Sequence, residues 1–268
     1  MQFILAGLLL LLPVEASPSL WPVLSQDARP VGGGVHDAAV IVAIEEYTYL
    51  SGIHGARRNA RDWYWYFTSI RGIPDGHVYR LLDTSATPAK MRTVLGNAAK
   101  AVGTTGTLWF VFIGHGAPSR NDPEDVLLVG VDAHADVLDF YPHTLPRKEV
   151  LAILSGTVAK AQVAVLDACF SGRDREEEPL LKDLQFVVPT HLSDTDRTTV
   201  LAAGADFTGP LPGERRPSFS YFVLGALLGW GDRDGDKRIS ASETVAYAAS
   251  IVNRLINDRR QEPMLMPL

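Results

Sequence analysis

A single cysteine, Cys169, serves all 268 residues. An intramolecular disulfide is therefore excluded, and so is a zinc site built on a cysteine pair. Basic residues are in the minority: 25 Lys and Arg face 31 Asp and Glu, for a net charge of −6. No basic footprint is visible, and no nucleic-acid partner is expected. Long apolar runs are also missing. The N-terminal run Phe3 to Leu12, broken only by Gly7, is shorter than the roughly 20 residues that a transmembrane helix needs. Nothing repeats internally, and no second hydrophobic core stands out. One large α/β domain suits the length and the 46% hydrophobic composition.

The same N-terminal run ends at Pro13, and Val14-Glu15-Ala16 follows. Small residues there sit where a signal peptidase reads, so residues 1–16 are expected to be a removed secretory signal, although a basic leading segment is missing. An uncleaved N-terminal anchor and a misassigned start are the alternatives. Without a cysteine at the cleavage point, a lipoprotein anchor is excluded. The expectation is an exported chain, periplasmic or secreted, with no membrane span once mature. Residues 17–36 carry Pro18, Pro22, Pro30 and Gly32-Gly33-Gly34, which read as a loosely attached linker. The domain is expected over 37–268.

Two stretches carry the chemistry. Gln162 to Leu166 is an apolar, β-branched run of strand length, ended by Asp167, with Cys169 just beyond and Ser171-Gly172 turning the chain away. Leu108 to Ile113 is a second such run, ending in Gly114-His115-Gly116. In open α/β sheets the carboxyl ends of strands are where ligands bind. Cys169 is either a small buried apolar residue or a nucleophile. If the two strands are parallel neighbours, His115 projects from the same edge and can activate the thiol.

Around these stretches strands alternate with helices. Ala38 to Ile44 and His77 to Leu82 read as strands, with a helix over 56–70 between them and aromatic Trp63, Tyr64, Tyr66 and Phe67 in its middle. Thr87-Pro88 opens a helix to about Val102. A short strand follows over 126–131, a helix over 147–159, a strand over 198–203, and helices over 218–229 and 242–257. That alternation predicts a mostly parallel sheet. Residues 117–125 read as a polar loop. The charged run after Gly172 reads as a solvated loop. Asp132, His134 and Asp136 could hold a metal or simply belong to a solvated loop.

The motifs Ile-Gly-His-Gly (113–116) and Asp-Ala-Cys-Phe-Ser-Gly (167–172) resemble those of the caspase-like cysteine peptidases, most of all the bacterial metacaspase-like branch. Cys169 follows His115 by 54 residues, where the caspase pattern has about 50. Weaker matches lie at 42–47, 55–62, 81–87 and 261–263. The resemblance implies a three-layer α/β/α domain with a mostly parallel central sheet. It implies a cysteine endopeptidase with Cys169 as nucleophile and His115 as base, and with backbone N–H groups of Gly116 and Cys169 as oxyanion donors. It places Asp167 in the pocket for the residue preceding the cut. Caspases that cut after Asp carry glutamine there, whereas metacaspase-like enzymes carry aspartate and cut after Arg or Lys. Polypeptides with basic residues are the expected substrates. Asp167 bonding its own turn is the plainer alternative. Glu45 or Glu46 is a candidate second carboxylate, with Glu46 the one assigned to the pocket. One position departs from the branch: Ile113 stands where metacaspases often carry serine.

A third pattern is independent of these. Asp232, Asp234, Asp236, Ser240 and Glu243 occupy the oxygen-ligand positions 1, 3, 5, 9 and 12 of an EF-hand loop, and Arg238 would give its carbonyl. Lys237 stands at the sixth position, where glycine is usual. Ser240 and Glu243 also make a capping box for the following helix. Calcium is the ion expected, and no organic cofactor. Two rivals to the peptidase remain: a catalytically silent domain that binds a protein partner under calcium control, and a hydrolase of non-peptide amides or esters.

Overall fold

A computed structural model describes residues 21–26, 28–122, 124–174, 178–181, 198–204, 209–255 and 263–266. The expected signal sequence lies outside them. In chain order the elements are β1 (Ala38–Ala43), α1 (Ala56–Trp65), β2 (Val78–Leu82), α2 (Pro88–Ala101), β3 (Thr107–Ile113), β4 (Gly116–Pro118), β5 (Val126–Val129), α3 (Val137–Phe140), β6 (Thr144–Pro146), α4 (Arg147–Ser155), β7 (Ala161–Asp167), β8 (Thr198–Ala202), α5 (Ser218–Gly225), α6 (Ala241–Leu255) and β9 (Met264–Met266).

Every residue of β1 is buried, which is what a strand covered by helices on both faces requires. The main sheet runs β2-β1-β3-β7-β8-β9. Its first five strands are parallel, and β9 is antiparallel to β8. On one face α1 packs against α5, and α5 against α6; on the other, α2 packs against α4. This is the three-layer α/β/α arrangement. One apolar cluster runs through it, with Phe110 and Phe112 of β3 fully buried. Truncating such a phenylalanine typically costs about 3–5 kcal/mol. Helix α2 starts as its sequence directs: Thr87 accepts from the Lys90 N–H at 3.3 Å, and Pro88 occupies the first turn. Helix α1 widens into a π turn over Tyr66–Ile70.

The structure departs from the sequence reading in four places. Residues 116–118 form β4, which pairs with β5, which pairs in turn with β6 in a small antiparallel sheet; the polar loop begins only after it. Strands of three residues carry no readable alternation. The helix over 147–159 stops at Ser155, capped by Gly156. Of the expected linker over 17–36, the described residues 21–26 and 28–36 are held to the domain: Leu24 is buried, the Trp21 indole donates to the Pro212 carbonyl at 2.8 Å, and Val31 N–H donates to Ile70 at 2.8 Å. Apolar anchors hold this proline-rich stretch to the domain. The charged stretch after Gly172 lies partly outside the described residues, and within the described part Asp174, Leu180 and Leu181 are buried and not solvated.

Candidate active site

The register of β3 against β7 fixes the site. Ile113 pairs with Asp167, so His115 and Cys169 each stand two residues beyond a matched pair. The two motifs touch directly. A Cβ on Gly116 would lie 2.5 Å from the Cys169 carbonyl oxygen and 2.5 Å from Phe170. Only glycine lets the chain pass that close. Gly114 is equally constrained, since a Cβ there would meet Phe112 at 2.6 Å and the Tyr47 hydroxyl at 2.8 Å.

His115 is 1% exposed. Its Nε2 lies 2.8 Å from the Ser51 carbonyl oxygen. A carbonyl only accepts, so Nε2 carries a proton and Nδ1 is left as the basic nitrogen. Its backbone N–H donates to the Tyr47 hydroxyl at 2.7 Å, and the Tyr47 ring lies against the imidazole with centroids 4.7 Å apart.

Cys169 is 2% exposed, and its thiol donates to the Arg173 carbonyl at 3.1 Å. That contact suits the protonated thiol, because a carbonyl oxygen has no proton to offer a thiolate. The chain beyond Cys169 doubles back: Arg173 bridges to Pro179, Leu180 N–H donates to Gly172 at 2.9 Å, and Asp174 N–H donates to Glu178 at 2.8 Å. The Asp174 carboxylate accepts from the Ser51 hydroxyl at 2.8 Å. Ser51 thus serves both sides, its carbonyl on His115 and its hydroxyl on the strap over Cys169. Neither Ser51 nor Asp174 stands out in the sequence, and a backbone carbonyl leaves no side-chain signature there.

Asp167 is fully buried and accepts from the Ser220 N–H at 2.8 Å. Ser220 is placed in turn by Asn59, whose Nδ2 donates to its hydroxyl at 2.6 Å. Arg216 binds Asn59 at 2.7 Å and Asp62 at 2.6 Å. Burial pulls the Arg216 guanidinium below its ordinary value, and Asp62 opposes this. The weak motif at 55–62 therefore supports the partner of Asp167. Glu46 is not gathered into this group: its side chain is 75% exposed and pairs with Arg57 at 2.7 Å. Glu45 instead accepts the Arg57 N–H at 2.9 Å, at the start of α1.

Among the described residues, one group of three metal-ligating side chains converges: the carboxylates of Asp232, Asp234 and Asp236, with ligand atoms within 4.8 Å of one another. Lys237 takes the left-handed conformation, φ 64°, that the sixth position requires. Asp232 accepts from the N–H groups of Gly235 at 2.9 Å and Lys237 at 3.1 Å. Glu243 accepts from Ser240 N–H at 2.9 Å and Arg233 N–H at 3.2 Å, and the Ser240 bonds hold its carboxyl below the usual range. Arg238 and Ser240 lie in the same exposed loop. The donor set is all oxygen, as a hard cation prefers. Asp132, His134 and Asp136 do not converge in this way. Asp132 pairs with His143 at 2.7 Å, His134 stacks on Tyr49, and Asp136 caps α3. No described helix is long and apolar enough to cross a membrane.

Comparison with known proteins bears on the whole of this arrangement. No curated protein sequence matches the chain. Among solved structures, a Geobacter sulfurreducens protein, GSU0716, is similar with a TM-score of 0.59 at 16% identity, over 85% of this chain and 92% of that one. Caspase-1 from Spodoptera frugiperda is similar with a TM-score of 0.53 at 13% identity, over 95% and 94%. At such identities the likeness concerns the fold. The family model described as the caspase domain matches residues 36–251, which is most of the chain and spans both strand ends. The chain therefore belongs to the caspase-domain family of cysteine peptidases.

Proposed function

We propose that the protein is a cysteine endopeptidase of the metacaspase-like branch, cutting after Arg or Lys. The observation that carries this reading is the register that sets His115 and Cys169 at matching heights, with Gly116 pressed against the Cys169 carbonyl. His115 Nδ1 takes the thiol proton, and the thiolate attacks the scissile carbonyl carbon. Backbone N–H groups of Gly116 and Cys169 receive the oxyanion. As the C–N bond breaks, His115 returns the proton to the leaving amine, leaving a thioester. His115 then draws a proton from water, which attacks the thioester and frees the thiol.

Asp167 is the pocket carboxylate in this reading. A guanidinium entering beside it gains a charge-assisted bond, while an acidic side chain meets repulsion. Glu46 acts from the exposed rim in this reading, after exchanging Arg57 for substrate. Chain cleavage is proposed after Arg173, Arg175 or Lys182; the last two lie outside the described residues. Export through residues 1–16 belongs to the same reading.

Calcium is proposed for the 232–243 loop, held by Asp232, Asp234, Asp236, Ser240, Glu243 and the Arg238 carbonyl. There it would neutralise carboxylates and tie the loop to the start of α6.

A second reading has its own support. Both candidate catalytic groups are buried and already hydrogen-bonded, as a silent, partner-binding domain could have them. A panel of fluorogenic peptides and esters, run with and without calcium, separates the two. Turnover of Arg and Lys peptides, lost in Cys169→Ala, is expected. Turnover of esters alone would make it a hydrolase of another kind. No turnover after strap cleavage would leave the binding domain.

A further inference from the structure

Tyr47 falls only within a weak motif, yet it reaches the candidate base by two routes and a neighbouring strand by a third contact. Its buried ring lies against the His115 imidazole. Its hydroxyl accepts from His115 N–H at 2.7 Å and donates to the Val129 carbonyl at 3.3 Å. The small sheet explains what that bridge replaces. Gly116 pairs with Leu128, so the next opposed residues along the ladder are His115 and Val129. Val129 N–H donates to the His115 carbonyl at 3.0 Å. A regular antiparallel pair would return the second bond directly. Here the tyrosine hydroxyl stands in the return path.

His115 is also the joint at which the chain leaves β3 in the main sheet and enters β4 in the small one. The hydroxyl wedge therefore governs the backbone from which the imidazole projects. The loop that carries it is itself fixed. Asp83, held at φ 44°, accepts the N–H groups of Glu45 at 2.8 Å and Glu46 at 2.9 Å. Thr48 N–H donates to Val131 at 3.0 Å. A left-handed backbone is unusual for a residue other than glycine, and such a conformation persists only where its surroundings over-determine it.

We propose that Tyr47 is a positioning residue for His115: its hydroxyl, inserted between the His115 amide and the Val129 carbonyl, sets the imidazole for proton transfer. This rests on the reading of His115 as base. Positioning errors of an ångström or less weaken transfer far more than binding. Tyr47→Phe keeps the ring and removes the wedge. With enzyme quantified by active-site titration, kcat should fall about 10- to 100-fold while KM stays within about twofold. The pH profile of Cys169 alkylation should also move up towards that of an ordinary thiol, near pH ~8.5. Placing 4-aminophenylalanine at position 47 restores a donor and an acceptor, and should recover most of the rate even if Tyr47→Phe folds poorly. An unchanged kcat and alkylation profile in Tyr47→Phe, or a loss not recovered by the amino analogue, overturns the proposal. Activity surviving His115→Ala would instead overturn the underlying reading, so the two failures are distinct.

Discussion

The ends of β3 and β7 stand side by side and are held in opposite ways. His115 is fixed by ordered structure on several sides: Tyr47 at its amide and ring, Ser51 at Nε2, and Val129 at its carbonyl. The Cys169 thiol meets a carbonyl only four residues downstream, on a chain that doubles back over it. In the proposed enzyme one strand end is built for precision and the other for access. A base must be ready before substrate arrives, because its reorganisation would add to the barrier. A thiol 2% exposed must be uncovered before any carbonyl reaches it.

The sharpest way to break this comparison is to remove either end. Cys169→Ala and His115→Ala should each lower kcat/KM on Arg peptides at least about a thousandfold, and the double variant should be no worse than either. Additive losses would mean that the two ends do not act as a unit. Next in size is the pocket beside Cys169. Asp167→Asn should lower kcat/KM for Arg peptides about 30-fold or more, following the ~2–5 kcal/mol typical of a broken desolvated pair. Peptides with a neutral residue there should change little. A ratio near one for matched Arg and Asp peptides in the unaltered protein would remove Asp167 from the pocket and leave the nucleophile untouched.

Smaller effects sharpen the contrast. Asp174→Ala releases the Ser51 hydroxyl and the Glu178 N–H, which donates to the Asp174 carboxylate at 2.9 Å. Losing hydrogen bonds to a charged group, ~1.5–3 kcal/mol, should speed iodoacetamide labelling of Cys169 about tenfold or more. An unchanged labelling rate would show that the strap is not the gate. The smallest effect belongs to the exposed loop, which serves neither strand end. Calcium at tenfold over its dissociation constant stabilises by about 1.4 kcal/mol, a rise of a few degrees in Tm. Asp232→Ala with Glu243→Gln should abolish the rise. The sign of its pH dependence follows from Glu243, whose folded value is lowered. Any stability from its ionised form is fully present above the ordinary carboxylate range, near pH ~4.3. It is lost as pH falls through the lowered value. A flat calorimetric titration would leave only the capping box.

The parallel strands were legible because their burial on both faces demands unbroken apolar runs, as in Ala38–Ala43 and Thr107–Ile113. The two motifs were legible because glycine and single polar residues punctuate those runs. The small sheet was only partly so, since β4 and β6 have three residues each. What supports the site was hidden for another reason. Ser51 acts on His115 through its carbonyl, Tyr47 bonds two backbone groups, and Asp174 sits in a run of charges that reads as solvent-facing. Contacts made to the main chain across 64 to 82 residues leave no local pattern. Three of the weak motifs gain a structural meaning only in three dimensions, while residues 261 and 262 of the fourth lie outside the described residues. Those at 42–47 and 81–87 build the loop beneath His115, and that at 55–62 braces the Ser220 side of Asp167.

Lys237 has a consequence for what calcium can do. Its φ of 64° is a conformation that costs a non-glycine residue roughly 1–2 kcal/mol. The protein's own bonds maintain it, since Asp232 gathers the turn by accepting two of its amides. The strain is borne when the chain folds, so nothing is left for an arriving cation to bend. In the proposed calcium reading, an ion that settles there would find its cradle made and act as a rivet, not a lever: it would raise the melting point without carrying a message to the strand ends.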